Sequence, residues 1–242
     1  MSYTALVTGA DHGIGFELVR RLLEEGHWVF AGRFNPEEQG LAELASEFGE
    51  QLILLDLDVG NDASVQAAAA KVREHTDSLD LLINNAAILG DIETTVLGEL
   101  DFDEMLQVFN VNALGSLRVT NALIELILNS PSRTIANISS EAGSIGQCYR
   151  DSWFAYTMSK AAVNMHSNVV HKGVKARGGQ VLVLHPGWVQ TFMRGEKDSA
   201  ATLTPEQSAG KLWGLIREAM ERRGEPAEAP VFLDVEGHVL PW

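Results

Sequence analysis

Apolar residues fall along the chain in two alternating patterns. Short unbroken runs occupy Tyr3–Val7, Trp28–Ala31, Leu52–Asp56, Leu81–Asn84, Thr134–Ile138, Val181–Leu184 and Val231–Leu233. They lack the inside–outside alternation of a half-exposed strand and read as strands buried on both faces of a parallel sheet. Between them lie longer amphipathic stretches, the first carrying Leu18, Leu22 and Leu23 ahead of a closing Gly26. Asn35-Pro36 predicts the cap and first-turn proline of the next helix, and Thr204-Pro205-Glu206-Gln207 a capping box for the last. Seven β units separated by helices predict one α/β domain over residues 1–242: a doubly wound, parallel, seven-stranded sheet with helices on both faces.

Composition narrows the partners. The 242 residues carry 18 Lys and Arg against 33 Asp and Glu, a net charge of −15, which argues against binding a nucleic-acid backbone. The one cysteine, Cys148, excludes an internal disulfide and any cysteine-built metal cluster and fits a cytoplasmic address. The seven histidines show no metal-ligand spacing, so no metal is expected. The first residues lack a signal-peptide pattern and no unbroken apolar run reaches membrane-spanning length, so no membrane partner is expected. A linker-like stretch, Gly224 to Pro230, precedes the last strand.

Doubly wound sheets bind ligands beyond the carboxyl ends of their strands. After the first strand comes Thr8-Gly9-Ala10-Asp11-His12-Gly13-Ile14-Gly15. Its glycines allow a tight turn close to a pyrophosphate, and the helix that follows offers free N–H groups and the positive end of its dipole. That makes Gly9, Asp11, His12, Gly13, Ile14 and Gly15 candidates to face a dinucleotide, as in a Rossmann-type fold. A turn needing glycine only for its backbone angles is the alternative. The second strand leads into Gly32-Arg33, with no acid to accept a ribose 2′-hydroxyl and a guanidinium able to pair with a 2′-phosphate. Asp58 could accept from an adenine amino group while Val59 packs on its ring, and Asn85 could bridge strand ends or face a ribose.

Tyr156 and Lys160 stand four apart in a helical stretch, which places them on one face. An ammonium beside a phenol stabilises the phenolate and can bring a tyrosine into proton exchange with an alcohol or carbonyl oxygen. The fifth strand runs into Ser139-Ser140, whose hydroxyls could bind the same oxygen.

Taken together, Thr8 to Gly15, Asn84 to Ala87, Asn112, Ser140, Tyr156 to Lys160 and Pro186-Gly187 resemble the short-chain dehydrogenase/reductase family, in family order over essentially the whole chain. His185 to Thr191 and Gly237 to Trp242 resemble its C-factor and sniffer-like carbonyl reductase branch. The resemblance implies that Tyr156 is the acid of reduction and the base of oxidation. It implies that Lys160 holds the nicotinamide ribose and lowers the Tyr156 pKa, that Ser140 orients the substrate oxygen, and that Asn112 positions a water in a proton relay. Ala86 and Ala87 would line the cofactor, Pro186, Gly187 and Val189 would flank the nicotinamide, and Thr191 would meet its carboxamide or the pyrophosphate. Three positions depart from the family pattern. Ala87 replaces a glycine, His12 stands where NADP-preferring members place Lys or Arg, and the interval from Ser140 to Tyr156 is longer.

The implied function is NADP(H)-dependent reduction of ketones or aldehydes, reversible toward alcohols, with NADP(H) favoured over NAD(H). The alternative is a catalytically weak nucleotide-sensing or signalling protein on the same scaffold. Gln147, Cys148, Trp153, Trp188, Phe192 and Met193 would form the substrate mouth and suit a hydrophobic or aromatic carbonyl compound. The polar stretch Met193 to Ser199 reads as a lid or as a plain surface loop. A homodimer is expected through the helices that carry Asn112 and Tyr156, with Leu114, Leu117, Leu123, Ile124, Ile127 and Leu128 as apolar surface shared with the sheet.

Overall fold

The computed structural model describes residues 2–222 and 227–242; the Gly224 to Pro226 part of the linker-like stretch lies outside the described residues. Seven parallel strands form one sheet: β1 (Thr4–Val7), β2 (Trp28–Arg33), β3 (Leu52–Asp56), β4 (Leu81–Asn84), β5 (Thr134–Ile138), β6 (Gln180–Leu184) and β7 (Phe232–Leu233). Their spatial order is β3-β2-β1-β4-β5-β6-β7, so the winding reverses between β1 and β4. There Ala5 pairs with Leu81 and Val7 with Ile83.

The helices are α1 (Gly13–Glu24), α2 (Gln39–Phe48), α3 (Asp62–His75), α4 (Phe102–Phe109), α5 (Ser116–Asn129), α6 (Phe154–Val174) and α7 (Pro205–Glu221). On one face Leu18 and Leu22 of α1, Leu41 of α2 and Leu212, Trp213 and Ile216 of α7 pack on Ala5 and Val7. On the other, Val65 and Val72 of α3 and Leu123 and Ile127 of α5 pack on Leu6, Phe30 and Leu82. Neighbouring residues of one strand thus enter opposite cores, which is why the strands read as unbroken apolar runs.

Two local expectations change. β2 continues two residues past Ala31, because Gly32 and Arg33 stay in register with Leu55 and Asp56 of β3. Asn35-Pro36 makes a turn rather than a helix start: Asn35 Oδ1 accepts the Glu37 N–H, and α2 opens only at Gln39. The Thr204 capping box on α7 forms as expected.

Helices α4 and α5 are joined without a break by a π-helical segment, Asn110–Gly115, which inserts extra backbone at Asn112. The combined run Phe102–Asn129 is long and apolar enough to cross a membrane, yet 61% of its apolar window is buried in this fold. That is the pattern of a core helix.

Candidate active site

The glycine turn is tied to the end of β4. Thr8 Oγ1 accepts the N–H groups of Asn85 and Ala86 at 3.0 and 3.1 Å. In return the Asn85 carboxamide donates to the carbonyls of Thr8 and Gly9, both at 3.0 Å. Asn85 therefore bridges the two strand ends. Gly9 has φ +62°, and a Cβ there would sit 2.7 Å from Ala86 Cα. A Cβ at Gly15 would strike Gly9 O and Asn85 Nδ2. The turn delivers α1 with an uncapped start: the His12 side chain makes no capping bond and the first turn carries no acid. Its orphan N–H groups and dipole are arranged to receive an anion. Thr191 closes over this start, its Cγ2 lying 3.5 Å from where a Cβ of Gly13 would be. The cradle fits the pyrophosphate of a dinucleotide.

Other candidates take on structural duties as well. The Asp11 carboxylate accepts the N–H groups of Phe34 and Asn35 at 2.9 and 2.7 Å, tying the glycine turn to the exit of β2. Arg33 Nε donates to Asp56 Oδ1 at 2.8 Å, a partner that sequence reasoning missed and the β2–β3 register explains. A side chain at Gly32 would meet Leu57 Cδ2 at 2.7 Å, so packing itself keeps an acid from this position. Asp58 Oδ1 caps the Gly60 N–H at 2.8 Å, and Val59 is buried against Gly115. Pro186 O accepts from Ser208 Oγ at 2.7 Å; Gly187 has φ +80°, and Val189 is bridged to Leu203.

The second group gathers below the ends of β4 and β5. Tyr156 and Lys160 are both buried on one face of α6, with Lys160 Nζ 5.6 Å from the centre of the phenol ring. That ammonium donates to Ile138 O at 2.8 Å. Ser140 begins a short turn, its Oγ accepting the Ala142 N–H at 3.1 Å. Burial pushes the Tyr156 phenol up to about 12, opposed by a hydrogen bond with Ser140. Burial also pulls Lys160 down to about 8. The Tyr156 pKa is thus raised rather than lowered in the protein alone, because desolvation of the phenolate exceeds the lowering by the Ser140 hydrogen bond. The Asn112 side chain is engaged within the protein. Its Oδ1 accepts the Ile88 N–H, and its Nδ2 donates to Ile88 O and Ser159 Oγ, all within 2.8–3.0 Å. It staples the loop after β4 to α6.

The long interval after Ser140, expected to border the substrate mouth, folds as a braced loop. Trp153 adopts φ +67°, a left-handed backbone uncommon for so large a residue, and meets Tyr156 edge-on at 6.1 Å. Arg150 forms a two-pronged pair with Glu141 at 2.9 and 2.6 Å, its Cζ 4.5 Å from the Tyr149 ring and 4.8 Å from that of Trp153. The interval is strapped from far along the chain, Ser144 Oγ donating to Pro241 O at 2.7 Å and the Gly146 N–H to Trp242 O at 3.0 Å. Trp242 stacks on Phe232. Gln147 and Cys148 lie exposed on this loop, and Phe192 and Met193 are exposed on the facing one. Trp188 Nε1 donates to Asp198 Oδ2 at 2.8 Å. The Glu141–Arg150 pair and the Ser144 bond to the Pro241 carbonyl were not legible in the sequence, because only the fold brings these groups together. A separate cavity of about 530 Å³, lined by Trp28, Phe30, Gln51 and His75, lies at the amino ends of the strands, away from these groups.

The family model described as short chain dehydrogenase matches residues 3–202. The chain belongs to the short-chain dehydrogenase/reductase family. Among curated relatives of this short-chain dehydrogenase, the C-signal of Myxococcus xanthus is 35% identical over 167 residues, covering 69% of this chain and 95% of that protein. The NADPH-bound carbonyl reductase from chicken fatty liver superposes with a TM-score of 0.86 at 33% identity, covering 100% of this chain and 99% of that one. The carbonyl reductase Sniffer of D. melanogaster gives 0.88 at 25% identity, covering 100% of both chains. Fold, family and carbonyl reductase-like branch agree, and this short-chain dehydrogenase/reductase is an oxidoreductase.

The strand-end tie makes a stability prediction. Asn85→Ala removes two side-chain hydrogen bonds to main-chain carbonyls and should lower the unfolding free energy by about 2 kcal/mol in urea denaturation. An unchanged midpoint would refute the tie.

Proposed function

We propose that the chain is an NADP(H)-dependent reductase of ketone and aldehyde carbonyls, reversible toward alcohols, acting in the cytoplasm as a single domain paired into a homodimer. The observation that carries this reading is the buried grouping of Tyr156, Lys160 and Ser140 beside the strand ends that form the anion cradle. Burial keeps the Tyr156 phenol protonated through neutral pH, the form needed to donate a proton to a carbonyl oxygen as it gains electron density. Ser140 Oγ holds that oxygen. Lys160 faces the nicotinamide ribose and remains largely charged at pH 7. Asn112 positions the loop at Ile88 against α6. When bound, the nicotinamide supplies the hydride.

The chain's residues divide the rest of the cofactor among them. The start of α1 holds the pyrophosphate, with Thr191 closing over it. Arg33 receives the 2′-phosphate through the guanidinium nitrogens that Asp56 leaves free, Asp58 and Val59 border the adenine, and Ala86, Ala87, Pro186, Gly187 and Val189 wall the nicotinamide side. The NADPH bound to the chicken carbonyl reductase supports the choice of cofactor. For the dimer, Leu123, Ile127 and Leu128 are spent on the core, whereas Leu106, Leu114, Leu117, Met165 and Val169 leave an exposed apolar face on α4–α6.

Purified protein should oxidise NADPH in the presence of aromatic ketones, and Tyr156→Phe should lower kcat at least about a hundredfold; full activity in that variant would sink the reading. Because the reductive step needs the proton on Tyr156 and a charged Lys160, kcat/KM for reduction should fall as pH rises past about 8.

Arg33→Ala should shrink the NADPH-to-NADH ratio of kcat/KM about tenfold. An unaltered ratio dismisses the arginine. Light scattering should give twice the 26.3 kDa chain mass, and Met165→Glu should return the monomer; a monomeric parent would refute the dimer.

A further inference from the structure

Two arginines approach Trp153, and they differ in what occupies them. Arg150 has both terminal nitrogens on Glu141, so its charge and its planar fork are already used. Arg194 stands with Cζ 5.7 Å over the Trp153 ring and, among the described residues, makes no hydrogen bond. Its acidic neighbour Asp198 lies at 4.0 Å and already accepts the Trp188 indole N–H on the same oxygen, Oδ2. The Trp153 ring meets Tyr156 edge-on at 6.1 Å. A guanidinium with an open fork is thus held one indole away from the phenol proposed as the acid. The indole is not free to drift, being fixed by its left-handed backbone, the Arg150 guanidinium and contact with the Leu89, Ala142 and Tyr156 cluster.

An open guanidinium so placed, on a chain of net charge −15, is a local exception to the field around it. Resting on the carbonyl reductase reading, we propose that Arg194 recognises a carboxylate at the far end of the substrate, so that oxo acids with a planar or extended body form the preferred class. Arg matches a carboxylate with two parallel N–H···O bonds, which gives orientation as well as affinity. The substrate then spans from the Tyr156 hydroxyl, past the Trp153 edge, to Arg194.

The test uses two matched pairs, para-acetylbenzoate with its methyl ester and levulinate with its methyl ester, assayed by NADPH oxidation. The wild type should favour each acid over its ester about tenfold in kcat/KM, mainly through KM. Arg194→Gln should bring the acid-to-ester ratio near one, and Arg194→Lys should restore part of it. Arg194 lies on an exposed loop, so neither change threatens folding. Equal kcat/KM for acid and ester in the wild type, or equal loss on both in Arg194→Gln, overturns the carboxylate assignment and leaves carbonyl reduction standing. No NADPH oxidation with any of the four compounds counts against the carbonyl reductase reading itself and takes the assignment with it.

Discussion

The site depends on a reciprocal tie across the reversal of the sheet. Thr8 lends its hydroxyl to the backbone leaving β4, and Asn85 returns its carboxamide to the backbone leaving β1. Two parallel strands that wind away from each other would otherwise end in a crevice with four unpaired main-chain groups. Pairing them satisfies those groups and fixes the depth of the crevice. Gly9 and Gly15 follow from the same constraint, since the space a Cβ would need is taken by Ala86, by Asn85 and by the turn itself. The cradle for an anion is a by-product of holding two strand ends together.

Burial sets the protonation states at the other end of the crevice, and it acts on the two key groups in opposite senses. Removing water raises the phenol of Tyr156 and lowers the ammonium of Lys160, each toward its neutral form. A tyrosine that holds its proton suits the acid role proposed for it in reduction. For Tyr156 desolvation is the largest cause and the Ser140 hydrogen bond the next; for Lys160 desolvation acts by itself. The Asn112 side chain fixes one loop against one helix.

Strands, their order of burial and the residues at their carboxyl ends were legible in the sequence, because a strand buried on both faces leaves an unbroken apolar run and a ligand-binding turn demands glycine. The Thr204 cap was legible for the same local reason. What escaped was set by partners distant in sequence. Asn35-Pro36 carries a helix-start signature, but Asp11 draws the N–H groups of Phe34 and Asn35 back to the glycine turn, and the helix opens later. Arg33 read as a free cation, and only the pairing of β2 with β3 sets Asp56 beside it. Helical spacing correctly placed Lys160 near Tyr156, but spacing carries no information about dielectric, and so the direction of the tyrosine shift came out reversed.

The strap from Pro241 and Trp242 onto the loop after Ser140 ties two remote segments of the chain. Ser144 meets its carbonyl partner 97 positions further along the chain. Segments so remote in sequence lie side by side because the sheet orders both, which offsets the entropy of closing the loop. The Thr8–Asn85 tie itself closes 77 positions, so the site rests on long closures at both ends. A change at Pro241 or Trp242 would therefore be felt in the loop after Ser140, remote in sequence and adjacent in space.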